Sequence, residues 1–248
     1  MIYEFKRDRR GILYSDDTSN LPNRLLRIDK RDYKNDNSQS EFYSLRITSD
    51  YIIKRPVASL NRKERNAYID MLVSLSQKQN EITSTEFPIG YYREKRKLSG
   101  LIIRYYQKGL SLDQIIKERN LSLLRKYYSH SEDNVHNLFM LLDDYLDCLF
   151  ELYKNDIYYI DVNSNNIVID NNQVRIIDFD PTRVMVTYIN AVMREAIFSG
   201  YVDLVADVLY NYNLINESLD AKLTLSHFAT DGYNEAKSLI RELERDIR

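Results

Sequence analysis

The sequence predicts an α+β protein in which a β-rich part precedes a mainly helical part. Short runs of apolar and aromatic residues, typical of strands, dominate from about residue 23 to residue 106. A single segment of helical period interrupts them at residues 59–77, and from Ser111 onward helical spacing prevails. A chain of 248 residues can form one two-lobed domain or two small ones. We expect a division into residues 1–106 and residues 107–248.

The β-rich part has the predicted order β-β-β-α-β-β. The runs "NRLLRI" and "FYSLRI" are strand candidates, and "SDYIIKRP" follows across a polar Thr-Ser-Asp turn, which indicates a hairpin. The run "KRDYKNDNSQSE" between the first two strands is the most loop-like stretch. The segment "SLNRKERNAYIDMLVSLSQ" is predicted as a helix with Ser59 as N-cap. Its apolar face would carry Glu64, Tyr68, Met71 or Leu72, and Leu75. The runs "FPIGYYRE" and "SGLIIRYY" are two further strand candidates around a polar turn at 95–99.

The second part begins with "SLDQIIKER", a helix candidate with Ser111 as its cap. The clearest helix is "SEDNVHNLFMLLDDYLDCLFELYKND", whose apolar stripe comprises Leu138, Leu141, Leu142, Tyr145, Leu146, Leu149, Phe150 and Tyr153. Asp143, Asp144 and Asp147 lie on the opposite side, where a solvated face explains them better than a metal site does. Cys148 lies in the stripe and is predicted to be a buried core thiol. The polar stretch "YYIDVNSNNIVID", the β run "QVRIIDFD" and further helices follow.

The composition excludes several functional classes. Thirty-five basic and 37 acidic residues give a net charge of −2, so we expect no nucleic-acid partner. One cysteine allows neither an internal disulfide framework nor a cysteine-rich zinc site. We find no run that resembles a signal peptide and none that is long and apolar enough to span a bilayer, so we expect a cytoplasmic protein without a membrane partner.

The polar stretch at 158–170 admits three interpretations. A calcium loop fits Asp161, Asn163 and Asn165 as the first three ligands, but Asn166 replaces the required glycine and Asn172 the bidentate glutamate. An asparagine-rich turn would need no function, because Asn and Asp favour turns for local reasons. The third interpretation is the catalytic loop of a phosphotransferase.

The spacing of the polar residues favours the phosphotransferase. Asp161 and Asn166 form D-x-x-x-x-N, and Asp178 opens "DFD" after the next apolar run. Such a loop lets one carboxylate face an attacking hydroxyl while an amide oxygen and a second carboxylate hold Mg²⁺, which prefers hard oxygen ligands.

With these motifs in order, residues 23–181 resemble the protein kinase-like superfamily. "YIIK" is similar to the family's V-A-I-K strand, which implies that Lys54 holds the α- and β-phosphates. The family pairs this lysine with a helical glutamate, for which Glu64 is the candidate and Asp70 the reserve. "LIIRYYQKGLSLDQII" looks like the fifth strand, hinge and following helix. Adenine would then lie near Ile103 and bond the backbone of Arg104 and Tyr106.

The resemblance implies a bilobal fold that binds ATP and Mg²⁺. Residues 1–106 would form a nucleotide-binding lobe with an antiparallel sheet and one helix, and residues 107–248 a short, mostly helical catalytic lobe. It also implies a hydroxyl-bearing substrate, with Asp161 as catalytic base and with Asn166 and Asp178 as metal ligands.

The sequence also departs from the family's pattern. No glycine lies between the first two strands, and Tyr159 and Ile160 replace the His-Arg pair before the catalytic Asp. Asn163 occupies a slot where related enzymes place Lys or His, Asp180 replaces the glycine of D-F-G, and no A-P-E follows. A protein Ser/Thr acceptor is slightly favoured, because the loop lacks the "H-G-D" of small-molecule kinases. A small-molecule kinase for an antibiotic or metabolite and a nucleotide-binding pseudokinase that acts as a regulatory or interaction module are the alternatives.

Overall fold

The computed structural model divides into two compact units, residues 1–107 and residues 108–248. The structure describes residues 3–7, 12–14, 26–34, 41–45, 51–55, 61–94, 97–104, 106, 108–128, 131–179, 184–185, 191–215 and 232–248.

The first unit is a closed seven-stranded barrel with one helix. Its elements are β1 (Tyr3–Arg7), β2 (Ile12–Tyr14), β3 (Leu26–Lys34), β4 (Glu41–Leu45), β5 (Tyr51–Arg55), α1 (Arg62–Lys78), a 3₁₀ turn (Gln79–Glu81), β6 (Gly90–Glu94) and β7 (Lys97–Arg104). The strand order around the barrel is β1-β2-β3-β4-β5-β7-β6. Neighbours are antiparallel except β1 and β6, which run parallel with Tyr3 opposite Gly90 and Phe5 opposite Tyr92.

The predicted order β-β-β-α-β-β is confirmed as β3-β4-β5-α1-β6-β7, and β4 and β5 form the predicted hairpin pair. Two details of the prediction are wrong. The run at 30–41, predicted as the most loop-like stretch, begins inside β3, which continues to Lys34, and residues 35–40 lie outside the described residues. The turn before β7 is shorter than predicted, because β7 begins at Lys97. The strands β1 and β2 were not predicted.

The helix α1 packs its buried face on the barrel. Tyr68, Ile69 and Leu72 form one apolar cluster with Tyr91 of β6 and Leu101 of β7. The cluster joins the helix to two neighbouring strands, and this burial of apolar surface stabilises the unit.

The cap of α1 is Asn61 and not the predicted Ser59. The Asn61 side chain accepts hydrogen bonds from the backbone of Lys63 (2.9 Å) and Glu64 (3.1 Å), and the Glu64 carboxylate accepts one from the backbone N–H of Asn61 (2.8 Å). This reciprocal capping box satisfies backbone donors that the helix leaves without internal partners.

The second unit is mainly helical with two small antiparallel sheets. Its elements are β8 (Leu110–Ser111), α2 (Leu112–Glu118), a 3₁₀ helix (Leu121–Lys126), α3 (Asn134–Lys154), β9 (Tyr158–Tyr159), a 3₁₀ turn (Ser164–Asn166), β10 (Ile167–Asp170), β11 (Gln173–Ile176), β12 (Val184–Met185), α4 (Ala191–Asn211) and α5 (Gly232–Ile247). The sheets have the orders β11-β10-β8 and β12-β9. None of the helices within the described residues is long and apolar enough to cross a membrane.

The apolar stripe of α3 forms the core of this unit, as predicted. Leu138, Leu142 and Tyr145 are completely buried, and Ser111 caps α2 as expected. Cys148 is a buried thiol that lies 3.5 Å from the carbonyl oxygen of Val174, and burial raises the pKa of its thiol. The prediction of a core thiol is confirmed.

The opposite side of α3 is only partly the solvated face that we predicted, because the exposed Asp147 and the half-buried Asp143 and Asp144 all have polar partners. Lys237 of α5 lies 2.6 Å from Asp143 and 2.8 Å from Asp147, and Asp144 accepts a hydrogen bond from the Tyr128 hydroxyl at 2.8 Å. The three aspartates therefore hold α5 and Tyr128 against α3.

Candidate active site

The polar stretch at 158–170 comprises β9, a loop at 160–166 and β10, the first strand of the β10–β11 hairpin. Asn163 caps the 3₁₀ turn by accepting a hydrogen bond from the backbone N–H of Asn165 at 3.0 Å. The hairpin turn consists of Asn171 and Asn172, whose positive φ angles of 49° and 61° are typical of two-residue hairpin loops. The hairpin brings the chain back beside the loop, and the backbone N–H of Ile177 donates to the carbonyl of Asn166 at 2.9 Å.

Two asparagine amides hold the carboxylate of Asp161. The Nδ2 group of Asn163 donates to Oδ1 of Asp161 at 3.2 Å, and Nδ2 of Asn166 donates to its Oδ2 at 3.1 Å. The same amides donate to the backbone carbonyl of Asp161 at 3.1 Å and 3.0 Å. Asp161 is half-buried, and the two hydrogen bonds hold its carboxylate in one orientation.

The predicted metal ligands Asn166 and Asp178 belong to the same local network. Asn166 is 6% exposed, and because its Nδ2 faces Asp161, its Oδ1 is turned away from that carboxylate. Asp178 follows the residue bonded to Asn166 and has a left-handed backbone, with φ of 66°, a conformation in which Asp and Asn are enriched. The hydrogen bond from Ile177 thus places the backbone that leads into Asp178 beside the backbone of Asn166.

These two side chains fit a magnesium ion by their chemistry. A carboxylate and an amide oxygen are hard ligands, and Mg²⁺ keeps water and phosphate oxygens in its other positions. Within the described part of the chain, no group of three or more His, Cys, Asp and Glu side chains could hold a metal ion. A transition-metal centre built on such a cluster therefore finds no support there.

The structure buries Lys54 in the first unit. It lies on β5, where it is opposite Phe42 of β4 on one side and Leu101 of β7 on the other, and it is 4% exposed. A buried lysine is rare in proteins unless a polar partner compensates its charge. Lys54 is therefore not a solvated strand end.

Glu64 is not on the apolar face of α1, as the sequence suggested. It is exposed, and its carboxylate completes the capping box with Asn61. A carboxylate used in this cap is a poor candidate for the partner of Lys54. The reserve candidate, Asp70, is also exposed.

The predicted adenine-binding residues lie at the end of β7. Ile103 is partly buried against the α1 cluster. The Arg104 side chain pairs with Glu86 at 3.1 Å and lies over the Tyr106 ring, with its guanidinium carbon 5.6 Å from the ring centroid. Their contact with adenine stays a prediction, and Asp180 lies outside the described residues.

Three residues near the loop make contacts that the sequence analysis did not predict. The Asn163 amide donates a hydrogen bond to the Asp161 carboxylate. The Tyr159 hydroxyl donates a hydrogen bond to the carbonyl of Ile177 at 3.1 Å. Gly200 of α4 lies against Val162, and a Cβ atom at position 200 would be 3.4 Å from the Val162 Cβ. The asparagine-rich composition of the loop and a tyrosine at position 159 were the only signals in the sequence for these contacts. The tertiary structure determines which residues Asn163 and Tyr159 bind.

Comparisons with known proteins support the fold. No family model and no curated protein matches this sequence. Solved structures do match, among them one titled "Crystal structure of BubR1 kinase domain". That structure is 11% identical in sequence and superposes with a TM-score of 0.58, over 98% of this chain and 86% of the other.

The chain has a protein kinase-like fold. At this low identity the likeness shows the fold alone, so the predicted α+β kinase-like class is confirmed while the activity has to be argued from the site. In this kinase-like fold, Asp161, Asn166 and Asp178 lie in one hydrogen-bonded segment of the second unit.

Proposed function

We propose that this protein is an ATP- and magnesium-dependent phosphotransferase that transfers the γ-phosphoryl group to a hydroxyl. The observation that carries the proposal is the local network in which Asn166 bonds the Asp161 carboxylate and also accepts a hydrogen bond from Ile177, next to Asp178. A turn formed for local reasons would need only Asp161 and Asn166, whereas Ile177 and Asp178 come from the segment that follows β11. The kinase-like fold adds independent support.

In the proposed reaction, Asp161 orients the substrate hydroxyl and accepts its proton as the hydroxyl oxygen attacks the γ-phosphorus. The bond between that phosphorus and the β,γ-bridging oxygen breaks, and ADP leaves. Asn163 and Asn166 hold the Asp161 carboxylate toward that hydroxyl. Asp178 and the Oδ1 atom of Asn166 are the protein ligands proposed for Mg²⁺, which when bound supplies positive charge at the phosphate oxygens. Lys54 adds a second positive charge for the phosphates. Positioning and charge stabilisation would provide most of the catalysis.

The proposed acceptor is Ser or Thr of a protein, slightly favoured over a small molecule. The loop carries Asn163 where related enzymes place Lys or His, and it lacks the "H-G-D" of small-molecule kinases. Because Asn163 is engaged with Asp161 and Asn165, its proposed role is to orient the base.

A pseudokinase that binds nucleotide without transfer is the second candidate. One observation favours the pseudokinase: the sequence from the start of β3 to the end of β4 contains no glycine. The backbone there cannot approach phosphates as closely as a glycine-rich loop does. Against it, both proposed metal ligands are present, which a pure interaction module does not need.

The variant Asp161→Asn tests the transferase. Turnover should fall by about two to four orders of magnitude, the usual contribution of a positioned general base, while the affinity for Mg·ATP stays nearly unchanged. Phosphate transfer is measured from labelled ATP to the protein itself, a generic protein substrate and aminoglycosides, and nucleotide affinity by calorimetry. Asp170→Asn, an equally conservative change on β10, is the control and should behave as wild type.

The companion variant Asp178→Ala separates binding from transfer. It should lose magnesium-dependent nucleotide binding while keeping its fold by circular dichroism. If the wild type binds Mg·ATP but transfers phosphate to no acceptor, water included, the pseudokinase is the better description. Equal transfer by wild type and Asp161→Asn would show that the base is another residue.

A further inference from the structure

A polar groove runs along α5 in the second unit. It has a volume of about 780 Å³ and is lined by side chains from Tyr233 to Arg245, which corresponds to about 18 Å of helix. Each of the described side chains that line the groove carries a polar or charged group. The groove is therefore suited to a polar ligand rather than to an apolar segment.

Two of the four charged side chains in the groove already have partners within the fold. Lys237 lies between the carboxylates of Asp143 and Asp147, at 2.6 Å and 2.8 Å. The Glu244 carboxylate lies 2.6 Å from Nδ1 of His136. Both contacts join α5 to α3, so these two side chains serve the packing of the helices.

The other two charged side chains, Arg241 and Arg245, are exposed and have no ion-pair partner among the described residues. The Nε group of Arg245 donates a hydrogen bond to the carbonyl of Arg241 at 3.3 Å, which orients the guanidinium group and leaves its terminal N–H groups for a ligand. Like charges four positions apart destabilise a helix. The stability of α5 therefore does not explain this arginine pair.

The chemistry of the two arginines matches a phosphate group. Each guanidinium group presents its N–H donors in a planar fork that fits phosphate oxygens, and two such groups can balance a dianion. Ser238 lies three residues before Arg241, so this exposed side chain is on the same side of the helix and adds a hydroxyl donor.

The length of the groove favours a phosphate that belongs to a peptide. A phosphorylated Ser or Thr carries a charge of about −1.5 to −2 at neutral pH and three acceptor oxygens. Arginine clusters are a recurring means of recognising such segments. An extended chain rises about 3.3 Å per residue, so about five residues would span the groove.

We propose that this groove binds a phosphorylated segment of a partner protein, with Arg241 and Arg245 on the phosphate and Ser238 as a further donor. The site is separate from the proposed active site. The proposal goes beyond the proposed function and does not depend on it.

The test uses the full chain and a fluorescent peptide mixture with phosphoserine at a fixed central position and random residues around it. Binding is measured by fluorescence anisotropy. Arg241→Gln and Arg245→Gln should each weaken binding about tenfold or more, because each removes charge-assisted hydrogen bonds. Arg241→Lys keeps the charge but loses the planar fork, so it should lose part of the affinity.

The matched controls are Arg62→Gln and Lys63→Gln, which remove the same charge at exposed positions of α1. Both should bind the phosphorylated mixture as the wild type does. Because Arg241 and Arg245 are exposed, the Tm of their variants should stay within about 2 °C of the wild-type value. Weaker binding at an unchanged Tm then reports a lost ligand contact and not a lost fold.

Equal binding of the unphosphorylated mixture would overturn the proposal, as would wild-type affinity in the double variant of Arg241→Gln and Arg245→Gln. Inorganic phosphate that binds as tightly as the phosphorylated mixture would show that the peptide contributes nothing. Tighter binding to vesicles of phosphatidylcholine and phosphatidylserine than to the phosphorylated mixture would replace the protein partner with a membrane surface.

Discussion

Lys54 shows how burial decides the role of a single residue. An exposed lysine at the end of a strand needs no special explanation. Lys54, in contrast, is 4% exposed and lies on β5, which pairs with β4 and β7. Burying an ammonium group costs free energy, and a hydrophobic residue of similar size would avoid that cost. A lysine kept at this buried position fits the phosphate-binding role that we propose.

Replacing Lys54 with Met tests that role. Met keeps the apolar stem and removes the charge, so the side chain still fills the buried position on β5. Turnover should fall by about a hundredfold or more, as when a charge-stabilising donor is removed from an active site. Lys6→Met, at an exposed lysine of β1, is the matched control. Wild-type turnover in Lys54→Met would contradict the assignment.

The sequence predicts which residue types occupy the site but not all of their contacts. The spacing of Asp161, Asn166 and Asp178 was sufficient to select them, because loop and hairpin lengths are local properties. That two amides hold Asp161 follows from the fold of the loop and could not be read from spacing. Glu64 was misassigned because its helical spacing fits the apolar stripe, although Asn61 three residues earlier was a signal for a capping box.

At the scale of elements, the contact between α3 and α5 is the clearest example of a long-range partner. Lys237 lies between Asp143 and Asp147, and the Tyr233 hydroxyl donates to Asp147 at 2.6 Å across 86 residues of sequence. The Phe150 and Tyr233 rings stack with centroids 3.8 Å apart. From sequence alone the acidic side of α3 resembles a solvated face, because the basic partner is so distant along the chain.

We expect Lys237→Met to reduce the free energy of unfolding by about 1–2 kcal/mol at pH 7, since it removes two hydrogen bonds to charged groups that are partly exposed. Lys117→Met, which removes a solvent-exposed pair with Asp113, should cost about 0.3–0.5 kcal/mol. Urea denaturation measures both. Equal losses would show that the α3–α5 pairs contribute no more than a surface pair.

The ion pairs of Lys237 with Asp143 and Asp147 also predict how the free energy of unfolding depends on pH. Burial alone would lower the pKa of Lys237, but the hydrogen bonds and charges of Asp143 and Asp147 outweigh it, and the pKa is raised above its ordinary 10.5. A raised lysine pKa stabilises the folded state below the ordinary value and ceases to do so as pH rises through the raised one. The stability difference between wild type and Lys237→Met should therefore be constant near neutrality and shrink only above about pH 10.5.

At the scale of the whole molecule, the order of elements from β3 to α3 was predictable because each element carries its own periodicity. The strands β1 and β2 were not predictable, because their stability comes from partners that are distant in the sequence. Tyr91 of β6 donates its hydroxyl hydrogen bond to Glu4 of β1 at 3.2 Å, 87 residues away. β1 has five residues and β2 has three, too few to give a clear pattern.

Deleting residues 1–14 should open the barrel. β3 and β6 would each lose a neighbour, and unpaired strand edges promote pairing between molecules. We expect the truncated protein to self-associate in size-exclusion chromatography with light scattering, whereas Lys6→Met, which keeps β1, elutes as the wild type does. A truncated protein that elutes as the wild-type species does would show that these strands do not protect the edges.

The parallel pairing of β1 with β6 also has a consequence for how the protein is made. β1 and β2 leave the ribosome before the other five strands and can pair with each other at once. The ring closes only after β6, which pairs with β1, and β7, which lies between β5 and β6, have been synthesised. Contacts of such high sequence separation are slow to form. The nascent chain therefore carries an incomplete sheet with an uncovered edge until β7, which ends at Arg104, has emerged. During this interval a chaperone that covers the open edge would give the most protection against association.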